Sequence, residues 1–149
     1  MLSNLLSENY QEQQWRADGR DGHPDMLEFE RVFLKRLQKL RVPMFTHCFW
    51  RGQADQTARF VDGKSKAKWG QNPHNFGCAI DVIHARKAWA LTREQWALLG
   101  HIGKEVSVQI SVPVVWGGDW SFYDPAHWEL KNWRELNWTR AETLEETFN

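Results

Sequence analysis

Six histidines, His23, His47, His74, His84, His101 and His127, are the natural starting point for chemistry in this sequence, and two of them stand near carboxylates. His74 lies in Asn72-Pro-His-Asn-Phe-Gly-Cys-Ala-Ile-Asp81, with six residues between it and the aspartate. Gly77 between them permits a tight approach where a loop turns into a strand. Asp81 falls inside the apolar run Cys78 to Ile83. A carboxylate buried there has to be paired, hydrogen-bonded or metal-bound, whereas on the solvent face of an edge strand it needs no partner. His127 ends the run Trp116-Gly-Gly-Asp-Trp-Ser-Phe-Tyr-Asp-Pro-Ala-His, with Asp124 three positions before it. Pro125 biases Asp124 away from helical geometry, so the segment reads as a turn entering a strand that aims both side chains at one point. The two glycines beside tryptophans let the backbone approach something bulky, or simply form a hairpin capped by Asp119.

Two histidines and an aspartate make a His₂-carboxylate set. Catalytic zinc sites keep three protein ligands and leave the fourth position to water. The commoner zinc signatures are absent, since the sequence has neither a His-Glu-x-x-His nor a Cys-x-x-Cys pattern. His84, three residues after Asp81, is the nearest rival ligand, followed by His47. Cys48 and Cys78 are too few and too far apart for a disulfide framework and read as buried, reduced thiols.

The elements that must position these groups follow from periodicity. Pro24 to Leu40 carries Met26, Leu27, Phe29, Val32, Phe33, Leu34, Leu37 and Leu40 at helical spacing. Its Pro and Asp at the start are helix-N-terminus signals. Val42 to Trp50 and Phe76 to Ile83 read as strands, and Arg51 to Gln71 as a short helix and a long loop. From Thr92 onward the signals conflict, because Val106, Val108 and Ile110 alternate like a strand inside a helical stripe. A helix to about Gln109 is expected, with Pro113 restarting the chain as a strand, Val114 to Trp116. His127 to Leu130 predicts a short strand, followed by a polar C-terminal helix with Trp133 and Leu136 inward. The fold class is α+β, with residues 1–22 as a polar helix or arm and residues 23–149 as one compact domain.

Composition excludes several function classes. The chain has 149 residues, 42% hydrophobic and 26% charged, which are globular values. Nineteen basic residues balance nineteen acidic ones, and no Lys/Arg block appears, so no nucleic-acid partner is expected. No apolar run approaches the ~18 residues of a membrane span. Met1 to Gln14 lacks the pattern of a secretory signal. Ten tryptophans are unusual in so small a neutral protein; some fill the core, and others suggest an aromatic groove.

Taken together, His74 to Asp81, the run Trp116-Gly-Gly-Asp-Trp120, and Asp124-x-x-His127 resemble the LAS zinc peptidases. These are the D-alanyl-D-alanine carboxypeptidases and dipeptidases and the L-alanyl-D-glutamate endopeptidases, phage endolysins among them, which cut the peptide stems of bacterial cell wall. Phe49-Trp-Arg-Gly-Gln-Ala-Asp-Gln56 resembles their upstream arginine motif. The resemblance runs from about His23 to Leu130, and the Trp-Gly-Gly-Asp-Trp run is most like the phage and endopeptidase branch.

The resemblance implies a small antiparallel sheet with helices mainly on one side, and one zinc per chain on His74, Asp81 and His127. It implies Asp124 as general base and Arg51 as the donor that steadies the substrate carbonyl, although Arg51 by itself reads as an ordinary surface ion-pair residue. Asp119 is expected to orient a ligand histidine. Trp116, Trp120, Trp128, Trp69 and Gln56 are expected around the groove. Asn72 and Pro73 depart from the family pattern, in which Ser or Thr often stands two before the first ligand, and leave the hydrogen bonding of that loop open. The implied partner is the peptidoglycan stem peptide, cut by a monomeric L-alanyl-D-glutamate endopeptidase of a phage or prophage lysis system. Such a protein is made in the host cytoplasm and reaches the wall by holin-type release or in a virion. The alternatives are a D-Ala-D-Ala carboxypeptidase, a zinc hydrolase of another amide, and a non-catalytic wall-binding virion component.

Overall fold

The structure is a computed structural model that describes residues 14–136 and 138. The first long helix, α1 (Pro24–Lys39), starts where the His23 ring accepts a hydrogen bond from the Asp25 amide and Pro24 occupies the first turn. It buries Met26, Phe29, Phe33 and Leu37, a three-and-four spacing that makes one apolar stripe. Four antiparallel strands form one sheet in the order β1 (Met44–Cys48), β2 (Ala79–His84), β4 (His127–Leu130), β3 (Val114–Trp116). A second helix, α2 (Gln53–Val61), follows β1, and α3 (Arg93–Ile110) joins β2 to β3.

Alternation along the strands sorts the side chains onto two faces. Ile80 is paired with Trp128, and Trp128 with Trp116, so these side chains form one row, which is buried beneath the helices. Phe29 and Phe33 of α1 pack on the Trp128 ring at 5.3 and 5.2 Å. From α3, Gly103 lies against the Trp128 ring and Gly100 against the Trp116 ring, where any Cβ would collide with the indole. The opposite row is polar. Asp81 is opposite His127 on one side and, through a bulge in β1, opposite Cys48 on the other. Because β2 is paired on both edges, Asp81 sits in an interior strand and not on a solvent-facing edge.

The ambiguous run at 106–110 is helical. The helix α3 begins with a reciprocal cap between Thr92 and Gln95 and ends at Ser111 in a left-handed conformation. Val106 packs into the core while Val108 is 82% exposed, so the apparent alternation is a helical stripe crossing into solvent. The C-terminal helix α4 (Trp133–Leu136) buries Trp133, but Leu136 faces outward instead of inward; the rest of the expected polar helix lies outside the described residues. Of the expected N-terminal arm, residues 14–17 are helical, and the Arg16 carbonyl accepts hydrogen bonds from the Phe49 and Trp50 amides. Cys48 and Cys78 are buried free thiols. Among the described residues no helix is long and apolar enough to cross a membrane.

Candidate metal centre

His74 sits on a single 3-10 turn, Pro73–Phe76, between α2 and β2. Asn72 resolves the loop that departs from the family pattern. Its side chain accepts from the His74 amide at 2.9 Å, Asn75 caps in return, and Pro73 supplies the fixed backbone angle of the first position. Gly77 then closes the turn at a φ of 65°, a left-handed conformation that costs glycine nothing. This turn delivers the His74 ring to the polar face of the sheet, 1% exposed.

Three side chains converge there. His74 Nε2 is 3.3 Å from Asp81 Oδ2, and His127 Nδ1 is 3.1 Å from Asp81 Oδ1. The two imidazoles meet edge to face at 5.1 Å. Their outward nitrogens are held from behind. His74 Nδ1 lies 3.3 Å from the Phe49 carbonyl, with the Cys48 thiol at 3.7 Å. His127 Nε2 lies 2.9 Å from the Glu129 carboxylate. With Nδ1–H donating to the Phe49 carbonyl, His74 can present the Nε2 lone pair to a cation once its second proton is given up, and Nε2 is buried without a well-aligned hydrogen bond among the described residues. Buried polar atoms are almost always satisfied, so an orphaned nitrogen facing a carboxylate and a second imidazole fits a missing cation. Two imidazole nitrogens and one carboxylate oxygen, each ring steadied from behind by an oxygen acceptor, are the donor chemistry of a zinc site.

Glu129 is the functional residue that the sequence reading missed. It follows His127 by two on β4, so it shares that histidine's face, a signal present in the alternation of His127-Trp-Glu-Leu130. Asp119, expected in this role, instead pairs with Lys104 at 2.7 Å on the exposed side of the turn after β3. Glu129→Gln should weaken metal affinity about 10–100-fold, the usual cost of losing the carboxylate behind a ligand imidazole. Zinc competition titrations on both proteins check this.

The cluster's electrostatics set a pH dependence. Burial disfavours charge on His74, but Asp81, with a contribution from the Cys48 thiol, outweighs it and raises the imidazole to about 10. Burial is likewise outweighed at His127, which Asp81 and Glu129 hold protonated above its usual range. Asp81 is buried too, yet the two imidazoles keep it well below the usual carboxylate range. His74 therefore carries a second proton at neutral pH when no metal is bound, and at both rings a metal competes with protons held more tightly than on a free imidazole. Zinc uptake should release protons, and affinity should fall as pH falls. Calorimetry in buffers of different ionisation enthalpy measures both.

Asp124 joins the same centre. Its carboxylate, the Asp81 carboxylate and the His127 ring present ligand atoms all within 4.8 Å of one another. The turn that aims it is tight: the Gly117 carbonyl accepts from the Asp124 amide at 3.0 Å, and the Asp124 carbonyl accepts from the His127 amide at 3.1 Å. A Cβ on Gly117 would strike the Asp124 carbonyl, and one on Gly118 would strike the Trp116 ring. The bulky things these glycines admit are thus the protein's own turn and tryptophan. Burial, and then the Asp81 charge, push the Asp124 carboxyl above its usual value, with the imidazoles and Arg51 partly offsetting them.

Arg51 is nearly buried and is not a surface ion-pair residue. Its amide donates to the His74 carbonyl at 3.0 Å, and its own carbonyl accepts from Asn75 Nδ2 at 2.9 Å. The guanidinium reaches Gln56 Oε1 at 3.4 Å, while its Nε is buried with no hydrogen-bond partner among the described residues. Gln56 is fully buried, so it holds Arg51 instead of lining a groove. Of the expected groove tryptophans, Trp120 is half-exposed with its ring 5.2 Å from His127. Trp69 is half-buried on the loop after α2. Trp116 and Trp128 are not in the groove. They stack on each other at 5.9 Å in the core, because their strand positions face the helices. The rival ligands are engaged elsewhere: His84 Nδ1 accepts the Arg86 and Lys87 amides, and His47 packs on Trp89 at 4.8 Å.

Residues 65–130, which include His74, Asp81, Asp124 and His127, match the family model described as D-alanyl-D-alanine carboxypeptidase. Among solved structures, the Serratia marcescens L-Ala D-Glu endopeptidase ChiX is similar with a TM-score of 0.65 at 23% identity, over 80% of this chain and 86% of that one. The LD-carboxypeptidase LdcB is similar with a TM-score of 0.53 at 13% identity, over 83% of this chain and 68% of that one. The two structural likenesses are likenesses of fold, and the family match runs through the converging histidines and aspartates. Over residues 65–130 the chain is therefore similar to that peptidase family, and over most of its length it shares the fold of the two solved structures.

Proposed function

We propose that this chain is a zinc-dependent peptidoglycan peptidase that hydrolyses the L-alanyl-D-glutamate bond of wall stem peptides. The observation that carries the reading is the convergence of His74, Asp81 and His127 beside Asp124 on the polar face of the sheet. His74, Asp81 and His127 would hold the zinc. A zinc ion supplies Lewis acidity and lowers the pKa of water toward ~7, giving a nucleophile at neutral pH. Asp124 takes the proton of the attacking water and returns it to the leaving amine, so the amide and water become a carboxylic acid and an amine. Its raised pKa suits both halves of that task. Arg51 is the cation available to the carbonyl oxygen as it gains charge, at a position fixed by Gln56 and the His74 turn. Asp124 as base and the Trp116-Gly-Gly-Asp-Trp120 run favour the endopeptidase of a phage or prophage lysis system, acting on the wall after release from the host cytoplasm or from a virion.

The family match favours a second reading, a D-Ala-D-Ala carboxypeptidase. Digestion of purified peptidoglycan, followed by mass spectrometry of the products, tests both. The endopeptidase leaves L-Ala on the glycan and exposes a new amino terminus on D-Glu; the carboxypeptidase releases free D-Ala. Absence of any new amino group from zinc-loaded protein would overturn both readings in favour of a binding component or a hydrolase of another amide.

A further inference from the structure

A cleft of about 560 Å³ opens between the loop after α2 and the helix α4. That volume is within the ~300–1,000 Å³ typical of small-ligand sites. Its floor is aromatic: Phe76, on the His74 turn, stacks on Trp133 at 5.9 Å. Its rim is cationic, formed by Lys66 and Arg134, and among the described residues no aspartate or glutamate lines it. The Arg134 guanidinium lies 4.5 Å over the Trp133 ring. The Lys66 ammonium lies 5.7 Å from the ring of Phe122, on the turn that carries Asp124. Both cations are exposed, and among the described residues neither pairs with a carboxylate.

The cleft is tied to the catalytic residues by buried amides. Gln56 Nε2 donates to Ser65 Oγ at 3.1 Å and to the Ala67 carbonyl, gripping the chain on both sides of Lys66, while Gln56 Oε1 accepts from Arg51. Gly70 on the cleft wall donates to Asn75 Oδ1 at 3.0 Å, and Asn75 adjoins His74. The side chain that holds Arg51 therefore also fixes the backbone of Lys66. Two cations without a carboxylate partner among the described residues, over an apolar floor, make a site suited to binding an anion.

We propose that this cleft recognises a free carboxylate of the peptide substrate, held by Lys66 and Arg134 while the adjoining aliphatic part packs on Phe76. The proposal rests on the peptidase reading above and adds a determinant of substrate choice. The carboxylate has two possible sources, the D-Glu residue beside the scissile bond and the C-terminus of the stem.

The test uses zinc-loaded Asp124→Ala protein, so that the peptide survives, and calorimetric titration with L-alanyl-γ-D-glutamyl-L-lysine. Two further peptides carry a carboxamide at the D-Glu carboxylate or at the C-terminus. One carboxamide should bind about tenfold more weakly than the free acid, the size expected for two partly exposed ion pairs. Which carboxamide it is identifies the source. Adding Lys66→Gln and Arg134→Gln should erase the difference, and Lys66→Arg with Arg134→Lys should restore it. A melting curve shows that the variants, altered only at exposed side chains, remain folded. Equal affinity for acid and amides, discrimination that survives in the Gln variant, or no binding of any peptide would overturn the proposal. Selective binding without cleavage of wall fragments by the wild type would leave this site standing and overturn the peptidase reading. Cleavage without selectivity would do the reverse.

Discussion

Asp124→Ala should lower turnover on wall fragments by about 10²–10⁴-fold, the range of a positioned general base, and leave zinc content unchanged. The separation of the two effects follows from the geometry. Asp124 shares the centre with Asp81 and His127, but its backbone is held by Gly117 and by the His127 amide, and alanine keeps those bonds. Its side chain carries no hydrogen bond on which the ligand rings depend, since His127 is oriented by Asp81 and Glu129. The variant therefore folds and loads metal. It lacks only the group whose raised pKa suits proton transfer in both directions. Single-turnover rates on a soluble muropeptide, with metal content measured on the same sample, check the prediction. Full rate in the variant would remove Asp124 from the mechanism.

His127→Ala should lose both metal and turnover. His127 is the proposed ligand on β4, directly opposite Asp81 in the sheet register. Without its ring, His74 and Asp81 offer only two of the three donors that a catalytic zinc needs. The change also leaves the Asp81 and Glu129 carboxylates without the cation between them. Removing one partner of a buried charged pair typically costs ~3–5 kcal/mol, so the variant should also melt at a lower temperature. Added zinc should not rescue activity at concentrations that saturate the wild type. A stable, zinc-replete His127→Ala protein would point to the neighbouring Cys48, His74 and Asp81 group as the true ligand set.

Much of this site was legible because its determinants are local. The spacing of Met26, Phe29, Phe33 and Leu37 predicts α1 to within a residue of its end, and the short runs Val114 to Trp116 and His127 to Leu130 are strands as read. Asp81 inside an apolar run announced a buried carboxylate in need of partners, and it has two imidazoles. What failed depends on contacts far apart in the chain. That Trp128 belongs to the core is decided by Gly103 and by Phe29 and Phe33, none of them near it in sequence. Asp119 reads as a histidine partner until the turn points it toward Lys104 on α3. The missed partner, Glu129, was available from strand alternation alone. Two-residue periodicity on β4 carries more information about the second histidine than the conspicuous Gly-Gly-Asp run does.

The account stands on one bound divalent ion held by His74, Asp81 and His127. Elemental mass spectrometry of wild type, Asp124→Ala and His127→Ala, purified side by side without chelator and dialysed against zinc, measures it directly. One zinc per chain in wild type and Asp124→Ala, and none in His127→Ala, is the predicted result. No zinc in the wild type, or the same zinc in all three proteins, would contradict it.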